Sequence, residues 1–232
     1  MIGTVIFDID NTLYDFDLGH EAGMNAVLCY CKDNLGIKKK EARALIKEAM
    51  DIQIERAGMQ NGAIHNRLIR FQIMLEKRGL PIFPHALNLM ELYWNTLLDT
   101  AVPEEGLKGL LNDLKLRGIK LGIGTNMTAE IQFEKLEVLE LDSYFDFIVT
   151  SEEINIDKPD PRFFELCVKK AGCPSAEIAF IGDSYDIDVR GAEAVGMKGV
   201  LYTRGKDIKR SKGMKIKSYD DVDLDELLEV EN

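Results

Sequence analysis

The sequence predicts an α/β fold of three layers, a parallel sheet between helices, with a small four-helix domain inserted after the first strand. Three observations carry this. A β-branched apolar run, Ile2–Phe7, stops abruptly at polar residues, as a buried strand does. From there to Pro103 only helical patterns occur. From Glu104 onward, short apolar strands alternate with helical stretches. That alternation implies right-handed crossovers and a parallel sheet covered on both faces.

Within the insertion, Ala22, Ala26 and Cys29 keep helical spacing, and Ala42, Leu45, Ile46 and Ala49 do so again after the basic turn Lys38–Lys40. The stretch Ala57–Gly62 (AGMQNG) breaks the pattern. Leu68, Phe71 and Leu75 mark a third helix, closed by Gly79 and Pro81. Leu87, Met90, Trp94, Leu97 and Leu98 mark a fourth, begun near Pro84. Four amphipathic helices in succession make a small bundle. Beyond it, helices are expected over Glu104–Arg117, Ala129–Leu139, Pro161–Ala171 and Ile187–Val195. Strands are expected over Ile119–Gly124, Phe145–Val149, Ile178–Ile181 and Gly199–Leu201. The tail from Ile216 to Val230 reads as a short extended piece and a closing helix. The expected domains are 1–14 with 101–232, the sheet core, and 15–100, the helical insertion.

A chain of 232 residues, 46% of them hydrophobic, can bury one core and support an insertion. A net charge of −11 argues against a nucleic-acid polymer or an anionic membrane as partner, since both call for clustered Lys and Arg. Small anionic substrates stay open, because they need only a local positive site or a metal. Cys29, Cys31, Cys167 and Cys173 lack metal-finger spacing and are expected as reduced, buried thiols. With no secretory leader and no bilayer-length apolar run, a soluble cytoplasmic protein is expected, and no obligate protein partner is evident.

In open parallel sheets, ligands bind beyond the carboxyl ends of the strands. Here those ends deliver Asp8 and Asp10, then Thr125 and Asn126, then Lys158, then Asp183 with Asp186 and Asp188. Side chains alternate along extended backbone, so Asp8 and Asp10 are expected to face one spot. Converging carboxylates form a hard-cation site, and Mg²⁺ is the usual occupant where water and phosphate oxygens share the shell. One carboxylate can attack phosphorus and a second can move protons to and from the departing and attacking oxygens. A lysine and a threonine hydroxyl can neutralise the transferring group.

The motifs DIDNT (Asp8–Thr12), TN (Thr125–Asn126), KPDP (Lys158–Pro161) and GDSYDID (Gly182–Asp188), in that order, resemble the four motifs of the haloacid dehalogenase-like hydrolase superfamily. The likeness spans essentially the whole chain. It implies a Rossmann-like core with the helical insertion as its cap. It also implies Asp8 as nucleophile, Asp10 as general acid/base, Thr125 as phosphoryl ligand and Lys158 as a brace for both phosphoryl group and nucleophile. Mg²⁺ would be held by Asp8, Asp183 and the backbone carbonyl of Asp10, with Asp188 as the motif's second acid. Asp186 lies off the family spacing.

Asp10 and Asp183 argue against the superfamily's dehalogenases, which need neither. No lysine is singled out for phosphonate cleavage. The resemblance therefore implies a Mg²⁺-dependent phosphomonoester hydrolase acting on a small phosphorylated metabolite, a nucleoside monophosphate or a sugar phosphate. The opening DNTLYDFD is similar to that of the superfamily's nucleotide 5′-phosphatases. A phosphosugar mutase and a phospho-acceptor signalling domain are the alternatives; the latter would lack the large helical insertion. Arg67 and Arg70, three apart on one helix, are candidates for an anionic leaving group, and Asn126 for the phosphate. His20, His65 and Trp94 are read as surface or core residues, and Asp15 as part of the loop into the insertion.

Overall fold

The computed structural model describes residues 1–58, 62–208 and 212–230, so the expected break at Ala57–Gly62 falls partly on residues 59–61, outside that set. In chain order the elements begin with β1 (Thr4–Phe7), α1 (Phe16–Leu35), α2 (Lys39–Ala57), α3 (Arg67–Arg78) and α4 (His85–Leu98). There follow α5 (Leu107–Leu116), β2 (Lys120–Thr125), α6 (Ala129–Val138), β3 (Phe147–Thr150), α7 (Ser151–Ile154) and α8 (Pro161–Ala171). The run ends with β4 (Ile178–Gly182), α9 (Arg190–Glu193), β5 (Lys198–Tyr202), β6 (Met214–Ile216) and α10 (Leu224–Leu228). The chain divides into two compact units, Met1–Asp15 with Val102–Asn232, and Phe16–Ala101.

In the first unit all six strands are parallel, in the order β3-β2-β1-β4-β5-β6. β1 is central and wholly buried, which its run of Thr, Val, Ile and Phe suits. Ile6 joins Phe163, Phe164, Cys167, Phe180 and Met197 in the core under α8. The chain winds from β1 to β2 and β3 on one side, then crosses back to β4 on the other. The reversal opens a crevice at the carboxyl ends of β1 and β4, where such sheets bind ligands. A sixth parallel strand, β6, pairs with β5 at Met214–Ile216, ahead of the extended piece expected from Ile216 onward. Asp160 caps α8 by accepting the Arg162 N–H, with Pro161 at the first helical position.

The helix expected over Ile187–Val195 begins earlier and differently. Residues Tyr185–Val189 form a π-type turn that runs into α9. Its Ser184 carbonyl accepts the Asp188 and Val189 N–H groups, which turns Asp188 back toward β4. Gly182 makes room for this, because a Cβ there would collide with the Asp188 carboxylate.

In the second unit α1 packs on α4 and α2 on α3. The buried face of α1 is Gly19, Gly23, Val27, Leu28 and Cys31, one step round from the expected Ala22–Ala26–Cys29 stripe, and Cys29 is exposed. Glycine carries no hydrophobic signal, yet it permits the closest approach. A Cβ on Gly23 would fall 2.7 Å from the Tyr93 carbonyl oxygen, and one on Gly19 would fall 2.9 Å from Leu97 Cγ. The face of α4 shifts correspondingly: Ala86, Leu89, Tyr93, Trp94 and Leu97 are buried, while Leu87 is 48% exposed. No described helix is long and apolar enough to cross a membrane.

The glycine contact sets a testable cost. Gly23→Val must drive α1 from α4, and overpacking of this kind costs about 1–3 kcal/mol. Urea unfolding followed through Trp94, the single tryptophan, is expected to show that loss. An unchanged midpoint would mean that the two helices separate freely.

Candidate active site

β1 stops at Phe7, and the Asp8 N–H still pairs with the Ile181 carbonyl at 2.9 Å, so Asp8 is fixed at the strand's tip. The Lys158 ammonium donates to Asp8 Oδ1 at 2.7 Å, to Asp188 Oδ1 at 2.7 Å and to the Gly124 carbonyl at 2.9 Å. An ammonium has three protons, and these three acceptors use them all. Lys158 comes from the loop between α7 and α8, where its peptide bond to Pro159 is cis. Its backbone is gripped by one side chain: Asn126 Oδ1 accepts the Lys158 N–H at 2.8 Å, and Asn126 Nδ2 donates to the Lys158 carbonyl at 3.2 Å. Asn126, expected to meet substrate, is thus engaged in holding the lysine.

Asp8, Asp183 and Asp188 present carboxylate oxygens within 4.8 Å of one another. Asp188 Oδ2 also accepts the Ser184 N–H at 3.0 Å. Burial pushes Asp8 up to about 7; Lys158 opposes this, and Asp188 adds to it. Burial, then Asp188, pushes Asp183 up to about 6. Burial opposes charge on Lys158 too, but Asp188 and Asp8 hold its ammonium above the ordinary lysine range. If all three carboxylates ionise, the one ammonium beside them, paired with Asp8 and Asp188, leaves an excess of two negative charges. That excess, on hard oxygen donors, fits a divalent cation of the Mg²⁺ kind.

Asp10 shares this neighbourhood but has other partners. The chain turns over beyond Ile9, whose carbonyl accepts the Thr12 and Leu13 N–H groups, and Asn11 sits at φ 61°. Strand alternation therefore ends before Asp10, and its carboxylate stands outside the Asp8–Asp183–Asp188 cluster. The Tyr14 hydroxyl donates to Asp10 Oδ1 at 2.8 Å and the Lys135 ammonium donates to the same oxygen at 2.6 Å. One turn earlier on α6, Gln132 Nε2 donates to Thr125 Oγ1 at 2.5 Å. Thr12 donates to Asp8 Oδ2 at 3.5 Å. Tyr14, Gln132 and Lys135 were not expected from the sequence. The available signal was two polar residues, three apart, beside the apolar positions Ile131 and Leu136 of a short helix.

The remaining candidates are distributed as follows. Arg70 is 7% exposed, and its guanidinium donates to Gln53 Oε1 and the Ile64 carbonyl, so it is enclosed within the helical unit. Burial, then Arg67, pushes it down to about 9. Arg67 lies over the Tyr93 and Trp94 rings at 5.3 and 5.6 Å. His20 Nδ1 is 2.6 Å from the Tyr93 hydroxyl, and burial followed by Arg67 lowers its pKa. His65, just ahead of α3, gives its carbonyl to Arg67 at 3.2 Å. Asp15 pairs with Arg204 at 2.8 Å, and exposed Asp186 pairs with Arg190.

A family model described as haloacid dehalogenase-like hydrolase matches residues 5–202. The chain is 34% identical over 204 residues to a ribulose-1,5-bisphosphate 5-phosphatase of Halopiger xanaduensis, covering 87% of this chain and 85% of that protein. It is 31% identical over 208 residues to a glyceraldehyde 3-phosphate phosphatase of Methanopyrus kandleri, covering 89% and 86%. A solved HAD phosphatase from Thermococcus onnurineus is similar with a TM-score of 0.73 at 26% identity, covering 95% of each chain.

Removing the ammonium at this centre strands two buried carboxylates. Lys158→Met is expected to lose about 3–5 kcal/mol of stability at neutral pH, the scale for a broken buried ion pair. Urea unfolding in EDTA, followed by circular dichroism, measures this. A loss below 1 kcal/mol, on the scale of an exposed pair, would show that the pair is not buried as described.

Proposed function

Because this chain belongs to the haloacid dehalogenase-like hydrolase family, we propose that it cleaves a small phosphorylated sugar through an aspartyl-phosphate on Asp8, with Mg²⁺ as cofactor. The two relatives described above carry phosphatase names, and the chain is a phosphoric monoester hydrolase acting on phosphorylated metabolites. The carrying observation for the finer reading is the carboxylate cluster of Asp8, Asp183 and Asp188 around the single ammonium of Lys158. The named substrates of the two curated relatives are sugar phosphates, which favours that class over a nucleoside monophosphate.

Asp8, Asp183 and Asp188 are the residues that would hold the cation, with the Asp10 backbone carbonyl; bound there, Mg²⁺ supplies charge neutralisation to phosphoryl oxygens. Asp8 attacks phosphorus as the P–O bond to the sugar breaks, and Asp10 delivers a proton to the departing oxygen. Asp10 then takes a proton from the water that attacks phosphorus, and Asp8 leaves as a free carboxylate. Lys158 keeps Asp8 oriented for both displacements, and the Thr125 hydroxyl receives a phosphoryl oxygen. In the helical unit Phe16–Ala101, Arg67 is the candidate for an anionic group of the sugar, while Arg70 is engaged with Gln53 and the Ile64 carbonyl.

A phosphate-ester panel of nucleotides, sugar phosphates and small acid phosphates tests the reading. Release of phosphate is expected from a sugar phosphate, dependent on added Mg²⁺, lost in EDTA and lost in Asp8→Asn. Turnover that survives Asp8→Asn would exclude the covalent route. Asp10→Asn is expected to slow hydrolysis by about 10²–10⁴-fold, the usual scale of general acid–base help. Mg²⁺ affinity, read by titration calorimetry, should stay near the parent value, and a parent-like rate in that variant would remove Asp10 from its role.

A further inference from the structure

Lys135 is 0% exposed, an unusual position for a lysine. Its ammonium gives a 2.6 Å ion pair to Asp10 Oδ1, and the buried Tyr14 hydroxyl donates to that same oxygen at 2.8 Å. Asp10 Oδ2 has no hydrogen-bond partner among the described residues. A buried ion pair roughly breaks even in stability against apolar packing, so stability alone does not account for a lysine here. What the pair provides is placement. Asp10 stands on a turn, beyond the strand's own constraint, and two donors, from α6 and from position 14, hold its Oδ1. The Lys135 ammonium also lies 5.8 Å from the Tyr14 ring centre, so the two donors brace each other.

We propose that Lys135, with Tyr14, is a positioning residue that dedicates Asp10 Oδ2 to proton transfer. An oxygen accepting two hydrogen bonds cannot carry a proton without giving one of them up, so the proton that Asp10 transfers passes through Oδ2. In the first displacement that proton passes to the sugar oxygen as its bond to phosphorus breaks and the Asp8–phosphorus bond forms. In the second, Oδ2 takes a proton from the attacking water. The inference rests on the acid/base reading of Asp10 and adds which oxygen acts and what aims it. Gln132 on the same face of α6 braces Thr125, so one helix face supports both motif residues.

The test is leaving-group selectivity. Expulsion of 4-nitrophenolate needs no proton, whereas expulsion of a glycerol alkoxide does. kcat/KM reports the displacement that expels the leaving group. Lys135→Met is expected to lose about 10–100-fold on glycerol phosphate, a part of the roughly 10²–10⁴-fold that acid–base help supplies, and less than threefold on 4-nitrophenyl phosphate. Tyr14→Phe should show the same selectivity to a smaller extent, and it carries the comparison if Lys135→Met fails to fold by circular dichroism. Equal losses on both esters, or none, overturn the inference while leaving the hydrolase reading intact. A parent enzyme that turns over neither ester, nor any in the panel, overturns both.

Discussion

The ammonium of Lys158 is the contact on which the rest of the site depends. Its three protons reach Asp8 beyond β1, the Gly124 carbonyl in β2 and Asp188 beyond β4, so one charge ties three neighbouring strand ends together. Removing it leaves carboxylates of like sign buried side by side at the crevice, an arrangement that burial and repulsion both oppose. The pair is no large source of net stability, because desolvation offsets most of the attraction. Its effect is geometric. Asn126 holds the lysine backbone from both sides, and the Ser184 N–H holds the far oxygen of Asp188, so neither side chain is free to take another partner.

Much of this was legible in the sequence, for a physical reason. A buried parallel strand announces itself as a short apolar run, and the residue after it lies at the carboxyl edge whatever the rest of the chain does. Asp8, Thr125 and Asp183 could therefore be placed from local pattern, whereas Lys158 reaches the site from a loop beyond α7. Other features depend on contacts that no local pattern encodes. Gly19 and Gly23 form the tightest helix contact in the inserted unit while contributing nothing to an apolar stripe, so the stripe was read one position off. The π-type turn at Tyr185–Val189 begins before the apolar residues that marked the helix, because its purpose is to bring Asp188 over Gly182. Tyr14, Gln132 and Lys135 find their partners across the fold or around a turn, and their spacing alone names no partner.

The two aspartates of DIDNT look equivalent as text, and strand alternation makes them equivalent neighbours. The structure separates them through one residue's worth of backbone. The turn at Ile9–Leu13 carries Asp10 away from the strand, so Asp8 meets Lys158 and two further carboxylates while Asp10 meets a tyrosine and a lysine from α6. The roles proposed for them, nucleophile and proton carrier, call for such different surroundings: one beside charges that orient it for attack, the other with one oxygen held and one open. Both needs are met within a three-residue string because the turn starts where the strand hydrogen bonds stop.

Charge accounts for the remaining constraint. The chain is acidic overall, yet its proposed substrate is an anion. Within the sheet unit, Lys158 is shared by two carboxylates and Lys135 is paired with Asp10, so neither brings unmatched positive charge to an incoming phosphate. Asp183 adds a further carboxylate at the same crevice. A phosphate approaching Asp8 thus meets net negative charge in a partly dehydrated place, where repulsion is stronger than in water. A divalent cation on the carboxylate cluster reverses that sign locally, so in the proposed reaction it is needed to admit the substrate as well as to assist its chemistry. Burial, and after it the neighbouring carboxylates, raise Asp8 and Asp183, and a cation held beside them would oppose both effects.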